Sequence, residues 1–324
     1  MSQQRRQLMF TATALAALVC TGAYAQSRSG KVTRILVGFP AGQATDQVAR
    51  LIAEQLQRDL DQTFIVENKP GQGGSIALGQ LAKSPADGTV LSLSALASYV
   101  VNPTLYANVT YDIARDFDPI ALVADLPLVL AVHPSLPVKT LQELINYAKA
   151  NPTNLSHSSS GNGTLSHLLM EDLKRRSGMN ILHVPYQGSA RGLVDLIAGT
   201  VQVGLDTATV MLPQVKAGKL RLIAVGSSKR LPDVPDVPAI SELGFPGFEA
   251  VAWIGLTSPA GMPRSDRERI QSVVTKALNF PEFAEKLRSI GAIPRPMPID
   301  EFAAFMRSEQ VRWKALVEQS GVKL

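Results

Sequence analysis

The feature that most constrains the fold is a unit of strand, small-residue loop and helix that recurs along the chain. Each unit starts with a short run rich in apolar and β-branched residues, which is typical of a buried strand. A loop of small residues follows, and apolar residues then recur every three or four positions, the spacing of one helix face. Strands that alternate with helices predict an α/β fold with largely parallel sheets flanked by helices. The four clearest units begin near residues 32, 63, 155 and 181.

The N-terminal segment is typical of a secretory signal peptide. Arg5 and Arg6 precede an apolar run over residues 8–20, and Ala23-Tyr24-Ala25 supplies a small-x-small cleavage pattern. We therefore expect residues 1–25 to be removed after Ala25 and the rest of the protein to be exported. A remaining chain of roughly 300 residues is long enough for two lobes.

Composition excludes several classes of function. Cys20 is the only cysteine and lies in the predicted signal peptide, so disulfides, thiol nucleophiles and cysteine metal sites are excluded. The formal net charge is +5, of which Arg5 and Arg6 contribute two, and the charges are interspersed. No basic stripe interleaved with aromatic residues is present, which argues against nucleic acid as a partner. The four histidines lack metal-ligand spacing, and no metal or cofactor is predicted.

Two loops of small residues have the pattern of anion sites. The loop "FPAGQATD" (39–46) joins a predicted strand to a predicted helix, and "SSSGNGT" (158–164) does the same further along the chain. A helix start offers unpaired N–H groups and the positive end of the helix dipole, so no lysine or arginine is required to hold an anion there. If the two helix starts face one cleft, both contribute to one site.

Six segments together resemble the Bug family, the periplasmic solute-binding proteins of tripartite tricarboxylate transporters, also called the TctC family. They match in order over nearly the whole chain after the signal peptide. The segments are "FPAGQATDQVAR", "VENKPGQGGSIALGQLAKSPADGTVL", "SSGNGTLSHL", "HVPYQGSARGLVDLIAGTVQV", "LIAVGSSKRLPDVPDVPAISELGFPGFEAVAWIGLTSPAGMP" and "EFAAFMRSE".

The resemblance implies a two-lobed periplasmic binding protein fold of type II-like form, with a ligand cleft between lobes. Lobe 1 is expected to comprise residues 26–125 and 248–324, and lobe 2 residues 126–247, with hinges near Asp125 and Phe248. It also implies a periplasmic location and a small-molecule carboxylate ligand held by backbone groups and ordered water. The ligand classes that fit are di- and tricarboxylates, acidic amino acids and aromatic acids such as terephthalate. Membrane transporter subunits are the implied partners, and no cofactor is implied. We expect a monomer.

Carried onto this sequence, the resemblance and the loop chemistry predict sixteen ligand-binding residues and no catalytic ones. They are Phe39, Ala41, Gly42, Gln43, Asp46, Ser92, Ser94, Ser160, Gly161, Asn162, Gly163, Thr164, His167, Tyr186, Gly188 and Asp206. Gln43 departs from the family pattern, which usually has a second glycine at this place. Its amide can donate or accept a hydrogen bond and fills space that the glycine leaves open.

Several of these residues have a structural interpretation as well. Asp46 can satisfy the dipole of the first helix, hold the loop, or contact the ligand. His167 can pack its helix instead of reaching the cleft, and Tyr186 can be a half-buried packing residue. Asp206 would repel a carboxylate, so orienting water or neighbouring groups is the expected role.

Two other functions stay open from the residues. An exported hydrolase is the first, although no G-x-S-x-G motif occurs in the sequence. The second is a carboxylate receptor that serves a signalling partner instead of a transporter. A binding protein without catalysis, which closes its lobes on a small carboxylate, is the main prediction.

Overall fold

A computed structural model describes residues 32–152 and 154–320. The predicted signal peptide, residues 1–25, lies outside the described residues. Ten strands form the sheet structure, numbered here in chain order. They are β1 (Val32–Val37), β2 (Thr63–Asn68), β3 (Val90–Ala95), β4 (Phe117–Val132), β5 (Ser156–Ser159), β6 (Leu182–Pro185), β7 (Val203–Thr207), β8 (Arg221–Val225), β9 (Val251–Pro259) and β10 (Ile293–Met297).

The described residues contain eleven α-helices, which we number in the same way. They are α1 (Ala44–Leu60), α2 (Ser75–Leu81), α3 (Asn102–Leu105), α4 (Ile113–Asp116), α5 (Leu141–Ala150), α6 (Leu165–Ser177), α7 (Ser189–Ala198), α8 (Ala208–Lys216), α9 (Arg264–Asn279), α10 (Pro281–Ser289) and α11 (Ile299–Ser320). Short 3₁₀ helices at Gln72–Gly74 and Ile240–Leu243, and a π-helical turn at Ala97–Val101, complete the regular structure.

The strands form two lobes that share β4. In the first lobe the order is β2-β1-β3-β9-β4, with β10 on the other side of β4; in the second it is β4-β7-β5-β6, with β8 also on β4. Pairing is parallel within β2-β1-β3 and within β7-β5-β6, and antiparallel along β4 and β9. The predicted α/β, two-lobed fold class is confirmed.

The chain crosses between the lobes at three adjacent positions. β4 runs continuously through both sheets, and its Leu128 N–H donates to the Ala250 carbonyl at 2.8 Å. Gly226 N–H donates to the Leu128 carbonyl (2.8 Å), and Ala250 N–H donates to the Gly226 carbonyl (2.7 Å). These three hydrogen bonds hold the crossing segments next to one another. If one lobe rotates against the other, the backbone has to bend at or near these segments.

The core of the first lobe is built around aromatic residues. Trp253 is buried, stacks on Tyr99 at 5.5 Å between ring centroids, and meets Phe302 edge-on at 5.8 Å. The carboxylate of buried Glu309 accepts hydrogen bonds from the indole N–H groups of Trp253 and Trp313, both at 3.0 Å. Both tryptophans therefore pack in the interior with their indole N–H groups satisfied.

Local chemistry sets the ends of several helices. α5 begins with a capping box, in which Thr140 and Glu143 exchange hydrogen bonds, and α6 ends at Gly178, in the left-handed conformation. The N-cap of α2 is Gly74, and the hydroxyl of the following Ser75 accepts from Asn102 Nδ2 at 2.9 Å.

Candidate ligand-binding site

A small cavity lies between the lobes, where strands of both sheets end. Its volume is about 60 Å³, which is room for several waters or a small ligand. Its lining residues are Phe39, Gln43, Ala44, Thr45, Ala95, Ala97, Leu126, Leu128, Ser160, Thr164, Leu165, Ser166, Ser189, Asp206, Thr207 and Ala252. Five predicted site residues are among them: Phe39, Gln43, Ser160, Thr164 and Asp206.

Four helices begin at this cavity. The first residues of α1, α6 and α7 line it, and so does Thr207, the N-cap of α8. α1 comes from the first lobe, whereas α6, α7 and α8 come from the second. Neither α1 nor α6 has a side chain that caps its first N–H groups. The N–H groups of the first helical turn have no partner within a helix, and the helix dipoles add partial positive charge there. The cavity therefore favours an anion although no lysine or arginine is among the described residues that line it.

Asp46 holds the first binding loop in place. Its side chain is only 1% exposed and accepts from Gly42 N–H at 2.8 Å, from Asn68 Nδ2 at 2.9 Å, and from Arg50 through two bonds of 2.9 Å. Burial alone would raise the pKa of Asp46, but the bonds from Arg50, Gly42 and Asn68 outweigh it and lower the pKa below its usual value. Asp46 does not line the cavity, and these contacts match the loop-holding interpretation.

Three hydroxyl groups form a connected network at the second binding loop. Ser166 Oγ lies 3.0 Å from Ser160 Oγ and 2.9 Å from Thr164 Oγ1, and it accepts from Ser160 N–H at 2.9 Å. Thr164 Oγ1 donates to the Gly161 carbonyl at 2.7 Å. Because hydroxyl groups can both donate and accept, this network can reorient toward a ligand without leaving a polar group unpaired.

Gln43 spans the cleft. It is the residue before α1, only 6% of it is exposed, and its side chain does not cap the helix. Its Nε2 has no hydrogen-bond partner and lies against Gly188 of the second lobe, so close that a Cβ at Gly188 would sit 2.0 Å away. An unpaired buried N–H is costly unless a ligand or water accepts from it.

Asp206 is the second-to-last residue of β7, and Thr207 separates it from the start of α8. Its Oδ1 accepts from Thr207 N–H at 2.7 Å, and the residue is 8% exposed. Burial raises the pKa of Asp206, and hydrogen bonds from Ser189 and Thr207 offset only part of this effect. The predicted position at a strand end in the cleft is correct.

Ser92 and Ser94 were expected in the cleft, and the structure places them in the interior of the first lobe. Both are fully buried on the central strand β3. Ser92 Oγ donates to the Leu36 carbonyl at 3.0 Å and lies 2.8 Å from Ser94 Oγ. Their hydroxyl groups satisfy each other and the backbone, which corrects the prediction.

The remaining loop residues surround the cavity without lining it. Ala41 and Gly42 are exposed on the outside of the first loop, and Asn162 is exposed on the second. Gly161 and Gly163 have positive φ angles of 138° and 75°, so they give the second loop a shape that few other residues adopt. Gly188 contacts Gln43 across the cleft, as described above.

His167 belongs to a stack of three histidine rings beneath the second loop. It stacks on His183 at 3.9 Å between ring centroids, and His183 stacks on His157 at 4.9 Å. His167 Nδ1 accepts from Gly163 N–H at 3.2 Å. Burial lowers the pKa of His167 to about 4 and that of His183 to about 3, so both rings are neutral near pH 7. This arrangement matches the packing interpretation of His167 and not its predicted place in the cleft.

Tyr186 supports the second lobe from outside the cavity. It is half-buried, its ring lies against Gly192, and its hydroxyl donates to Asp195 Oδ2 at 2.7 Å. Burial, followed by the contact with Asp195, raises the pKa of Tyr186 to about 12. The structure therefore corrects its predicted contact with the cavity in favour of the packing interpretation.

The sequence analysis missed the apolar wall of the cavity. Leu126 and Leu128 come from β4, Ala252 from β9, and Ala95 and Ala97 from the end of β3 and the turn after it. In the sequence these residues are indistinguishable from core residues of buried strands. Ala44 and Thr45, by contrast, lie within the quoted first loop and could have been included as the first residues of α1.

The described residues offer neither a metal cluster nor a membrane-spanning helix. Over 32–152 and 154–320, no group of three or more histidine, cysteine, aspartate or glutamate residues is arranged to hold a metal ion. Within the same ranges no helix is both long and apolar enough to cross a membrane.

The family model for the tripartite tricarboxylate transporter family receptor, TctC, matches residues 48–322. The chain belongs to this family. It is 34% identical to protein BugT of Bordetella pertussis over 318 residues, which cover 98% of this chain and 96% of BugT. The predicted family membership is thereby confirmed.

Two solved structures of similar proteins contain carboxylates. The structure of R. palustris Rpa4515 with adipate has a TM-score of 0.88 and 33% identity, covering 92% of this chain and 99% of that one. MatC from Rhodopseudomonas palustris, with bound malate, has a TM-score of 0.83 and 30% identity. The match covers 90% of this chain and 100% of MatC. This TctC family chain therefore has the fold of proteins that were solved with small organic acids.

Proposed function

We propose that this protein is a periplasmic solute-binding protein that captures a small organic carboxylate and delivers it to a tripartite tricarboxylate-type transporter. The observation that carries the proposal is the convergence of four helix N-termini on one cavity that has no cationic lining residue. Such a cavity stabilises a carboxylate through backbone N–H groups and helix dipoles. Adipate and malate in the similar structures support the same ligand class.

Capture proceeds by closure of the two lobes. Under this proposal the lobes have the predicted bounds, residues 26–125 with 248–324 and residues 126–247, and they pivot where β4, Gly226 and Ala250 cross. Each lobe contributes part of the carboxylate's partners, α1 from the first and α6 from the second, so a bound ligand favours the closed form. A membrane partner then recognises that form.

We propose that the protein is not an enzyme. The serines that line the cavity are Ser160, Ser166 and Ser189. Two other serines contact a histidine at 2.7 Å: Ser135, which does not line the cavity, contacts His133, and Ser159 contacts His183. Ser159 is buried and does not line the cavity, so this pair is not positioned as a nucleophile and base. Family membership also favours binding over catalysis.

A thermal-shift screen of the exported protein against organic acids tests the ligand class. An acid at one hundred times its dissociation constant should stabilise the protein by about 2.7 kcal/mol, which for a chain of roughly 300 residues raises Tm by about 4 °C. Amines and neutral sugars of similar size serve as controls and should give no shift. If no carboxylate shifts Tm while another compound class does, the proposal is wrong.

Tyr106→Phe tests closure. Tyr106 of the first lobe donates from its hydroxyl to the main-chain carbonyl of Asn162 in the second, at 2.8 Å, and we assign this bond to the closed form. Loss of this bond removes about 0.5–1.5 kcal/mol, so we expect ligand affinity to fall about two- to tenfold. Calorimetry measures the affinity, and Tyr147→Phe, a change outside the cavity, serves as the control.

Small-angle scattering tests the same closure in the wild type. Saturating ligand should reduce the radius of gyration, and an unchanged radius of gyration would contradict lobe closure.

A further inference from the structure

The cavity contains one ionisable side chain. Among the described residues that line it, Asp206 alone carries an acidic or basic group; the others are apolar, hydroxyl or amide residues. A dianionic ligand in this small cavity would therefore meet a third negative charge without any cationic side chain to offset it. The charge on Asp206 is the feature that distinguishes the ligands that fit from those that do not.

The surroundings of Asp206 leave it able to accept from a ligand. Val129 is its register partner on β4, Ser189 approaches from α7, and Thr207 separates it from α8. None of these residues is titratable, so no neighbouring protein charge compensates the carboxylate. Its bonds come from Thr207 N–H and from neutral donors. A carboxylate has about four acceptor positions, and a cavity-lining one can accept further donors.

We propose that Asp206 determines ligand specificity by selecting carboxylic acids whose other polar group is a hydrogen-bond donor, a hydroxyl or an ammonium group. This inference rests on the proposed carboxylate-binding function and deepens it. The ligand carboxylate binds the helix N-termini, and the donor group binds Asp206, so each end of the ligand meets its complement. If the ligand is ionised at both ends, its far carboxylate faces the carboxylate of Asp206, and the two like charges repel each other.

A simple di-acid can bind only by taking up a proton. One proton from solvent then lies between the ligand carboxylate and Asp206, and one carboxyl O–H donates to the other carboxylate oxygen. The affinity of di-acids should consequently rise as pH falls, by up to about tenfold per pH unit, whereas the affinity of hydroxy and amino acids should not. The raised pKa of Asp206 makes this uptake easier than at an ordinary carboxyl.

Calorimetry with matched acids tests the inference. Each set has one chain length from three to six carbons and differs only at the far end, for example succinate, 4-hydroxybutyrate and 4-aminobutyrate. Above about pH 7 the carboxyls of the free acids are ionised. At pH 8 we expect a donor-ended acid to bind at least tenfold more tightly than the di-acid of equal length. Titrations in phosphate and in Tris should give different enthalpies for the di-acid alone, because only its binding takes up a proton.

Asp206→Asn tests the role of the charge on Asp206, because it removes the charge and keeps the shape of the side chain. Asparagine keeps an acceptor for Thr207 N–H and replaces the charge with an N–H donor, so di-acids should gain at least tenfold in affinity and lose their pH dependence. Asp233→Asn, which removes a carboxylate from an exposed loop, should behave like the wild type.

The outcomes separate this inference from the proposed function. Suppose that at pH 8 the di-acid binds the wild type as tightly as the hydroxy and amino acids of equal length, and that no proton is taken up. Carboxylates then bind as proposed, but Asp206 does not select among them. If no acid of any set binds, the proposed function itself fails. The wild-type pH and buffer comparisons decide the question even if Asp206→Asn does not fold.

Discussion

Asp46→Ala should lower the free energy of unfolding by about 2–4 kcal/mol and weaken carboxylate binding by at least tenfold. The variant leaves Gly42 N–H and Asn68 Nδ2 without their acceptor and removes both bonds from Arg50. Loss of a buried charged acceptor costs about 1.5–3 kcal/mol for each good hydrogen bond to it. The cost of losing the two bonds from Arg50 is smaller, because the Arg50 side chain is half exposed and water screens its charge. Binding falls because the loop that Asp46 holds carries Gln43 and the start of α1.

The pH dependence of this effect has a defined sign. The pKa of Asp46 is lowered in the folded protein, so its contribution to stability is complete above the unfolded value of about 3.9. It is lost as pH falls through the lowered folded value. Chemical denaturation should therefore show a large difference between wild type and Asp46→Ala at pH 7 and a smaller one near pH 3.

Asp59→Ala is the control, because Asp59 is exposed near the end of the same helix. Its effect should stay within about 0.5 kcal/mol. Asp46→Asn, which keeps one acceptor oxygen, should be intermediate between wild type and Asp46→Ala. A stability loss below about 1 kcal/mol for Asp46→Ala would mean that the loop holds its shape without the carboxylate.

Elements with strong local periodicity could be predicted from the sequence. The three- and four-residue spacing predicted the helices that the structure places at Ala44–Leu60 and Ile299–Ser320. Capping chemistry located the start of α5 at Thr140. These features depend on neighbours within one or two turns, so the chain needs no tertiary information to specify them.

Elements that depend on distant partners could not be predicted. Asp125 divides two apolar runs in the sequence, yet β4 continues through it because Arg295, 170 residues away, pairs with its carboxylate at 3.1 Å. β10 contains Pro294 and Pro296, which argue against a strand. It forms nevertheless as an edge strand that pairs with β4 alone, where missing N–H donors are tolerated.

The same limit applies to the site. The polar loop residues could be predicted, since small residues at a helix start have a local chemical meaning. Ser92 and Ser94 could not be separated from cleft residues, because the carbonyl that satisfies Ser92 belongs to Leu36, 56 positions away. Leu126, Leu128 and Ala252 become a cavity wall only through the crossing of β4 and β9.

Gln43→Gly should change the order in which acids bind, and not merely scale all affinities together. Gln43 Nε2 is a buried donor without a partner, on the wall of the cavity and against Gly188. A ligand that accepts from it gains a hydrogen bond to a charged group, whose loss costs about 1.5–3 kcal/mol, a ten- to hundredfold fall in affinity. Ligands that do not reach it gain space instead. The backbone at Gln43 is extended and its side chain caps nothing, so glycine should be tolerated as the N-cap.

Gln43→Glu tests the amide donor more directly than Gln43→Gly does. It keeps the shape of the side chain and replaces the N–H donor with a carboxylate oxygen. We expect it to abolish binding of every acid at pH 7, since the new charge faces the ligand carboxylate in a cavity without cationic side chains. Gln57→Glu, the same change at an exposed position of α1, should leave affinities unchanged. Calorimetry against one acid panel decides the matter. An identical rank order for wild type and Gln43→Gly, with binding retained in Gln43→Glu, would mean that the amide does not reach the ligand. The departure from the family glycine would then carry no specificity.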